Sequence, residues 1–130
     1  MKFKIGDSAS ISKTITDRDI QAFADVTGDQ NPVHLDDEYA AKTRFGRRIA
    51  HGMLSASLIS AVLANELPGA GSVYLGQTLK FVKAVFPGDT VTARVTVTGI
   101  RHDKPIITLE TVCVNHHNEL VLKGEATVLL

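Results

Sequence analysis

Gly52-Met53-Leu54-Ser55-Ala56-Ser57-Leu58-Ile59-Ser60-Ala61-Val62-Leu63-Ala64-Asn65-Glu66-Leu67 reads as one continuous apolar helix. Its large and small hydrophobes cover nearly every helical face, and only serines interrupt them before Asn65 and Glu66. A helix apolar all round is expected to be buried on all sides. At 1.5 Å per residue it spans about 24 Å, and its length and serines argue against a membrane span. Pro68-Gly69-Ala70-Gly71 ends it.

Downstream, everything reads as strand. Ser72 to Val85 comes first, then the turn Pro87-Gly88-Asp89, then Thr90 to Ile100. In that third stretch Val91, Ala93, Val95 and Val97 alternate with Thr92, Arg94, Thr96 and Thr98, the period of a half-buried strand. Pro105 to Val114 and Leu120 to Leu130 follow, joined by Asn115-His116-His117-Asn118. Hairpin-length connections predict an antiparallel sheet. One such sheet and one wholly apolar helix have a joint solution: the sheet curls around the helix. The expected fold is α+β, a single hot-dog domain over residues 1–130 with a curved antiparallel sheet wrapped around a long central helix.

Upstream, Ser8 to Ile15 alternates as a first strand. Thr16 with Asp19 makes a capping box, and Ile20, Phe23, Ala24 and Thr27 repeat at helical spacing up to Gly28, a residue suited to the left-handed position after a helix. Pro32 biases Asn31 toward extended backbone, so the helix cannot continue through Asp29 to Val33. Asp36 is a natural N-cap for a second short helix, with Asp37 and Glu38 in its first turn. Between the two helices, Gly28-Asp29-Gln30-Asn31-Pro32-Val33-His34 holds a carboxylate and an imidazole five residues apart on a rigid bend. Such a pair suits proton transfer, although Asp in a turn also bonds its own backbone. Asn31 is placed to pin the bend through side-chain-to-backbone bonds.

Composition narrows the classes. Fourteen basic and fourteen acidic residues in a 130-residue chain cancel, which argues against a nucleic-acid surface. The single cysteine, Cys113, lies in an apolar alternating run and reads as a buried small hydrophobe. The first residues carry no apolar signal core and no run reaches membrane-spanning length, so the expected location is cytoplasmic, with no membrane partner. His102, His116 and His117 fall in turns or strand ends without ligand-spaced partners, and no metal site is expected.

Phe23 through Ala40 resembles the signature of MaoC-like, (R)-specific enoyl-CoA hydratases: an aromatic, a small-residue step, Gly-Asp-x-Asn-Pro-x-His, five residues, then Ala. Arg48-Ile49-Ala50-His51-Gly52-Met53-Leu54 is similar to that family's entry into its central helix, and Tyr74-Leu75-Gly76-Gln77-Thr78-Leu79-Lys80-Phe81 to the strand after it. The likeness is nearest to the small single-domain hydratases of polyhydroxyalkanoate precursor supply. It implies hydration of trans-2-enoyl-CoA to (R)-3-hydroxyacyl-CoA, with Asp29 and His34 gripping one water and the Gly52 amide as oxyanion donor. It further implies Ser60 near that water, against the alternative of a small hydroxyl bonding back to the preceding helical turn. His51, beside Gly52, is expected to support the loop, as Asn31 supports the bend. The basic cluster Lys42, Arg44, Arg47 and Arg48 offers a coenzyme A phosphate contact, against the alternative of a solvated charged loop. No cofactor beyond the acyl-CoA substrate is implied, and a homodimer is. Three alternatives stand beside it: a dehydratase acting on acyl carrier protein substrates, a non-catalytic acyl-thioester-binding module, and a thioesterase. The last generally carries its acid on the central helix, where this chain has only Glu66 at the far end.

Overall fold

The computed structural model describes residues 2–130. Strand β1 (Ser8–Thr14) leads into helix α1 (Asp17–Thr27), followed by two short helices, α2 (Pro32–Leu35) and α3 (Asp37–Ala41). The central helix α4 (Gly52–Asn65) precedes β2 (Val73–Gln77), β3 (Lys80–Phe81), β4 (Thr90–Ile100), β5 (Ile106–Val114) and β6 (Leu120–Leu129). The strands form one antiparallel sheet in the order β1-β4-β5-β6-β2, with β3 also on β6. This is the hot-dog fold, α+β.

The local chemistry explains the elements. The expected capping box is present: Asp19 N–H donates to Thr16 Oγ1 at 3.1 Å, and Thr16 N–H to Asp19 Oδ2 at 2.9 Å. Gly28 stands at φ +80°, closing α1 with its N–H on the Ala24 carbonyl. Asp36 caps α3 by accepting the Tyr39 N–H at 3.0 Å. Val91, Ala93, Val95 and Val97 all face the core, as their alternation predicts, opposite buried residues of β5 such as Leu109 and Cys113. Burial pushes the Cys113 thiol up to about 12, so it is an inert core residue at neutral pH. Ile59 and Val62 of α4 are fully buried in the concave face of the sheet. Truncating Ile59 to Ala belongs to the ~2–5 kcal/mol class of core deletions.

Three expectations need correction. The central helix is not buried on all sides: Met53, Ser57, Ser60 and Ala64, spaced as one helical stripe, are exposed. The sheet covers the remaining faces, and small or polar side chains on the open stripe limit the apolar surface left in water. Ser72 to Val85 is not one strand either. Its register slips between Tyr74 and Gly76, and the chain then crosses β6 at Gly124, where a Cβ would stand 1.8 Å from the Thr78 carbonyl oxygen. That approach bends the segment into β2 and β3. Finally, Pro32 does not merely break the helix: with Asn31 extended before it, Pro32 takes the first position of the one-turn helix α2.

Candidate active site

The bend after α1 is built from short polar bonds. Asn31 N–H donates to Asp29 Oδ1 at 3.2 Å, and Val33 N–H to Asn31 Oδ1 at 3.3 Å. Asp29 therefore does bond its own turn, but through one carboxylate oxygen, and Asn31 pins the bend as expected. Three further bonds stitch the bend to the segment entering α4. Ile49 N–H donates to the Val33 carbonyl at 3.2 Å, His34 Nδ1–H to the Ile49 carbonyl at 2.7 Å, and His51 Nε2–H to the Asp29 carbonyl at 3.1 Å.

These bonds fix the chemistry. A carbonyl only accepts, so His34 carries its hydrogen on Nδ1 and leaves the Nε2 lone pair free. Burial is the main influence lowering the His34 pKa; the bond to Ile49 opposes it, His51 adds to it, and Asp29 opposes it. The folded site thus favours the neutral ring. His51, almost fully buried, stacks on His34 with ring centroids 3.9 Å apart and planes 28° from parallel.

Asp29, His34, His51 and Gly52 all border one cavity of about 390 Å³, with Arg44, Phe45, Met53, Phe81 and Lys83 among its other walls. Gly52 opens α4, so its N–H has no intrahelical acceptor and lies at the positive end of the helix dipole. The Phe81 ring presses on it: a Cβ at Gly52 would meet that ring at 2.7 Å. Close approach and a free amide thus coincide at one glycine. The sequence carried no sign of the Phe81 contact or of the Ile49 carbonyl, because both depend on distant chain meeting the bend.

Other expected residues fall elsewhere. Ser60 is exposed and lines a second cavity of about 510 Å³ with Phe23, Met53, Ala56, Tyr74 and Gln77, a cavity that neither Asp29 nor His34 borders. The structure does not bring Ser60 to the cavity that Asp29 and His34 border, against the expectation: it lies about two helical turns beyond Met53. Arg48 is corrected too. Its guanidinium spans Asp17 at 2.7 Å and Asp37 at 2.6 Å, which raises its pKa and ties the start of α1 to the start of α3. Arg44 borders the first cavity, and Arg47 lies over the Phe86 ring at 4.1 Å.

Among the described residues, Asp29, His34 and His51 each present a possible ligand atom, all within 4.8 Å of one another. The donor set fits an ion poorly. Stacked rings 28° from parallel do not aim their in-plane lone pairs at a common point about 2.0–2.1 Å away.

The MaoC like domain family matches residues 4–119. An (R)-specific enoyl-CoA hydratase of Rhodospirillum rubrum is 51% identical over 127 residues, covering 98% of this chain and 88% of the relative. An (R)-specific enoyl-CoA hydratase of Aeromonas caviae is 50% identical, over 98% of this chain and 95% of its own. A solved (R)-hydratase from A. caviae involved in PHA biosynthesis superposes with a TM-score of 0.97 at 49% identity, covering 99% of this chain and 98% of that one. Similarity of that extent settles the lineage: the chain belongs to the MaoC-like domain family.

Proposed function

We propose that the protein is an (R)-specific enoyl-CoA hydratase whose Asp29 and His34 activate one water. One observation carries the reading: Asp29, His34 and Gly52 border one cavity, with His34 spending only Nδ1 on a backbone partner and Gly52 at the start of α4. The water lies between the carboxylate and Nε2. Its oxygen bonds to C3 of the enoyl thioester while its proton passes to His34 Nε2. The π electrons of the C2–C3 bond move onto the thioester oxygen, where the Gly52 N–H meets the negative charge. A proton then reaches C2 from the same pair, so H and OH add across the double bond with nothing left over. No group besides substrate and water is needed. Arg44 and Arg47 remain the phosphate contacts we assign to coenzyme A, while Arg48 is held by its two aspartates.

The apolar second cavity, reached past Met53, is suited to the acyl tail. Val62 and Leu63, which point into the core, border neither cavity. Val73, Tyr74 and Leu75 leave an apolar sheet edge exposed at β2, near exposed Met53 and Phe81, and a second copy of the chain is the proposed cover. Sedimentation equilibrium is expected to give twice the 14.0 kDa chain mass; a monomer at assay concentrations contradicts it.

The activity test follows the loss of conjugated absorbance with crotonyl-CoA, beside the same acyl group on an acyl carrier protein. Turnover on coenzyme A with an (R)-3-hydroxy product is the expected outcome. The (S) alcohol, or turnover on the carrier-linked substrate alone, contradicts the reading.

A further inference from the structure

We propose that His51 is a positioning residue for the water-activating pair, acting through the main chain of Asp29 and the ring of His34. The inference rests on the hydratase reading above. His51 is 2% exposed, and its Nε2–H on the Asp29 carbonyl spans 22 residues of chain. The remaining recorded hydrogen bonds of Asp29 stay within its own turn, its N–H donating to Thr27 Oγ1 and its Oδ1 accepting from the Asn31 N–H, so this bond is the one that holds Asp29 itself from outside the turn. One His51 face stacks on His34, and Phe23 lies tilted against the same ring at 4.8 Å.

Packing alone does not account for an imidazole here. His51 Nδ1 is buried with no hydrogen-bond partner among the described residues. An unmet buried nitrogen is unfavourable, and one bond to a neutral carbonyl offsets it only in part. A phenyl ring of similar shape fills the space without that cost. What the imidazole adds is alignment: Asp29 is held from outside its turn, and His34 is clamped between the Ile49 carbonyl and a flat neighbour. Its Nε2 then cannot swing from the cavity when it takes the water's proton.

The test compares His51→Phe and His51→Gln with the wild-type chain. The phenyl variant keeps a ring and loses the bond to Asp29; we expect kcat with crotonyl-CoA to fall about tenfold or more, the scale of a small misplacement of reacting groups. KM stays within about threefold, and the melting temperature is unchanged or higher, which separates positioning from binding and folding. Gln restores an N–H donor and recovers part of the lost kcat. A His51→Phe enzyme with wild-type kcat, or a loss that follows a lower melting temperature, overturns the inference. Nitrogen-15 NMR of the rings is a second measurement, independent of rate: a hydrogen on His51 Nδ1 instead of Nε2 also overturns it. Asp29→Asn and His34→Ala run alongside. If they keep activity, the hydratase reading itself fails; if they lose it while His51→Phe does not, only the positioning role fails.

Discussion

The two cavities meet at Met53 and are made of different material. The first is bounded by groups whose positions are set by backbone hydrogen bonds: the Asp29 turn, the His34 ring on the Ile49 carbonyl, the amide at Gly52. The second is bounded by side chains on an open stripe of α4 and on the β2 edge, with Phe23, Leu75 and Leu79 supplying apolar surface. Its polar groups serve one another: Tyr74 hydroxyl donates to Gln77 Oε1, and Gln77 Nε2 donates to the fully buried Thr111 Oγ1 at 2.9 Å. Chemistry needs atoms held to fractions of an ångström, which backbone stitching supplies. Accommodation of an acyl tail needs area and tolerates looser walls.

The largest effect that separates the cavities is on rate. Replacing Asp29 with Asn, or His34 with Ala, is expected to lower kcat/KM for crotonyl-CoA by at least ~10²-fold, the scale of general acid–base groups. Ser60→Ala, in the other cavity, should stay within about threefold for this short substrate, since it removes no group from the reacting atoms. Steady-state kinetics on the three variants checks both statements. A loss at Ser60 as large as that at Asp29 breaks the division between the cavities.

The same contrast governs what was legible in the sequence. The Gly28–His34 bend could be read because its causes are local: a left-handed glycine, a proline that stops the first helix, side chains bonding backbone two residues away, although the one-turn helix that Pro32 starts was not read. The alternation of β4 was equally plain. Arg48 was misread because the aspartates that hold it lie 31 and 11 residues away, and a basic cluster looks the same whether solvated, paired or bound to phosphate. The break between β2 and β3 depends on Gly124 passing under Thr78, an approach between strands distant in sequence. Ser57, Ser60 and Ala64 did carry a signal: they mark one weakly apolar stripe on α4, and that stripe is the face the sheet leaves open.

The smallest effect, and the sharpest on the character of the first cavity, concerns pH. Burial is the leading cause that lowers the His34 pKa from the ordinary 6.5, and it prevails over the Ile49 carbonyl and the Asp29 charge. The folded protein thus favours the neutral ring. Above 6.5 both folded and unfolded chains hold the ring neutral, and its contribution to stability is complete. As the pH falls through 6.5 the unfolded chain takes up a proton that the folded site resists, so stability declines until the folded pKa is reached. The acid limb of kcat/KM belongs to the free enzyme and should therefore lie below 6.5, with turnover persisting where an exposed histidine is already mostly charged. A pH profile from 5 to 8 checks this, with each point corrected for any unfolding. A limb at or above 6.5 means that His34 is wetter in solution than its burial and contacts imply.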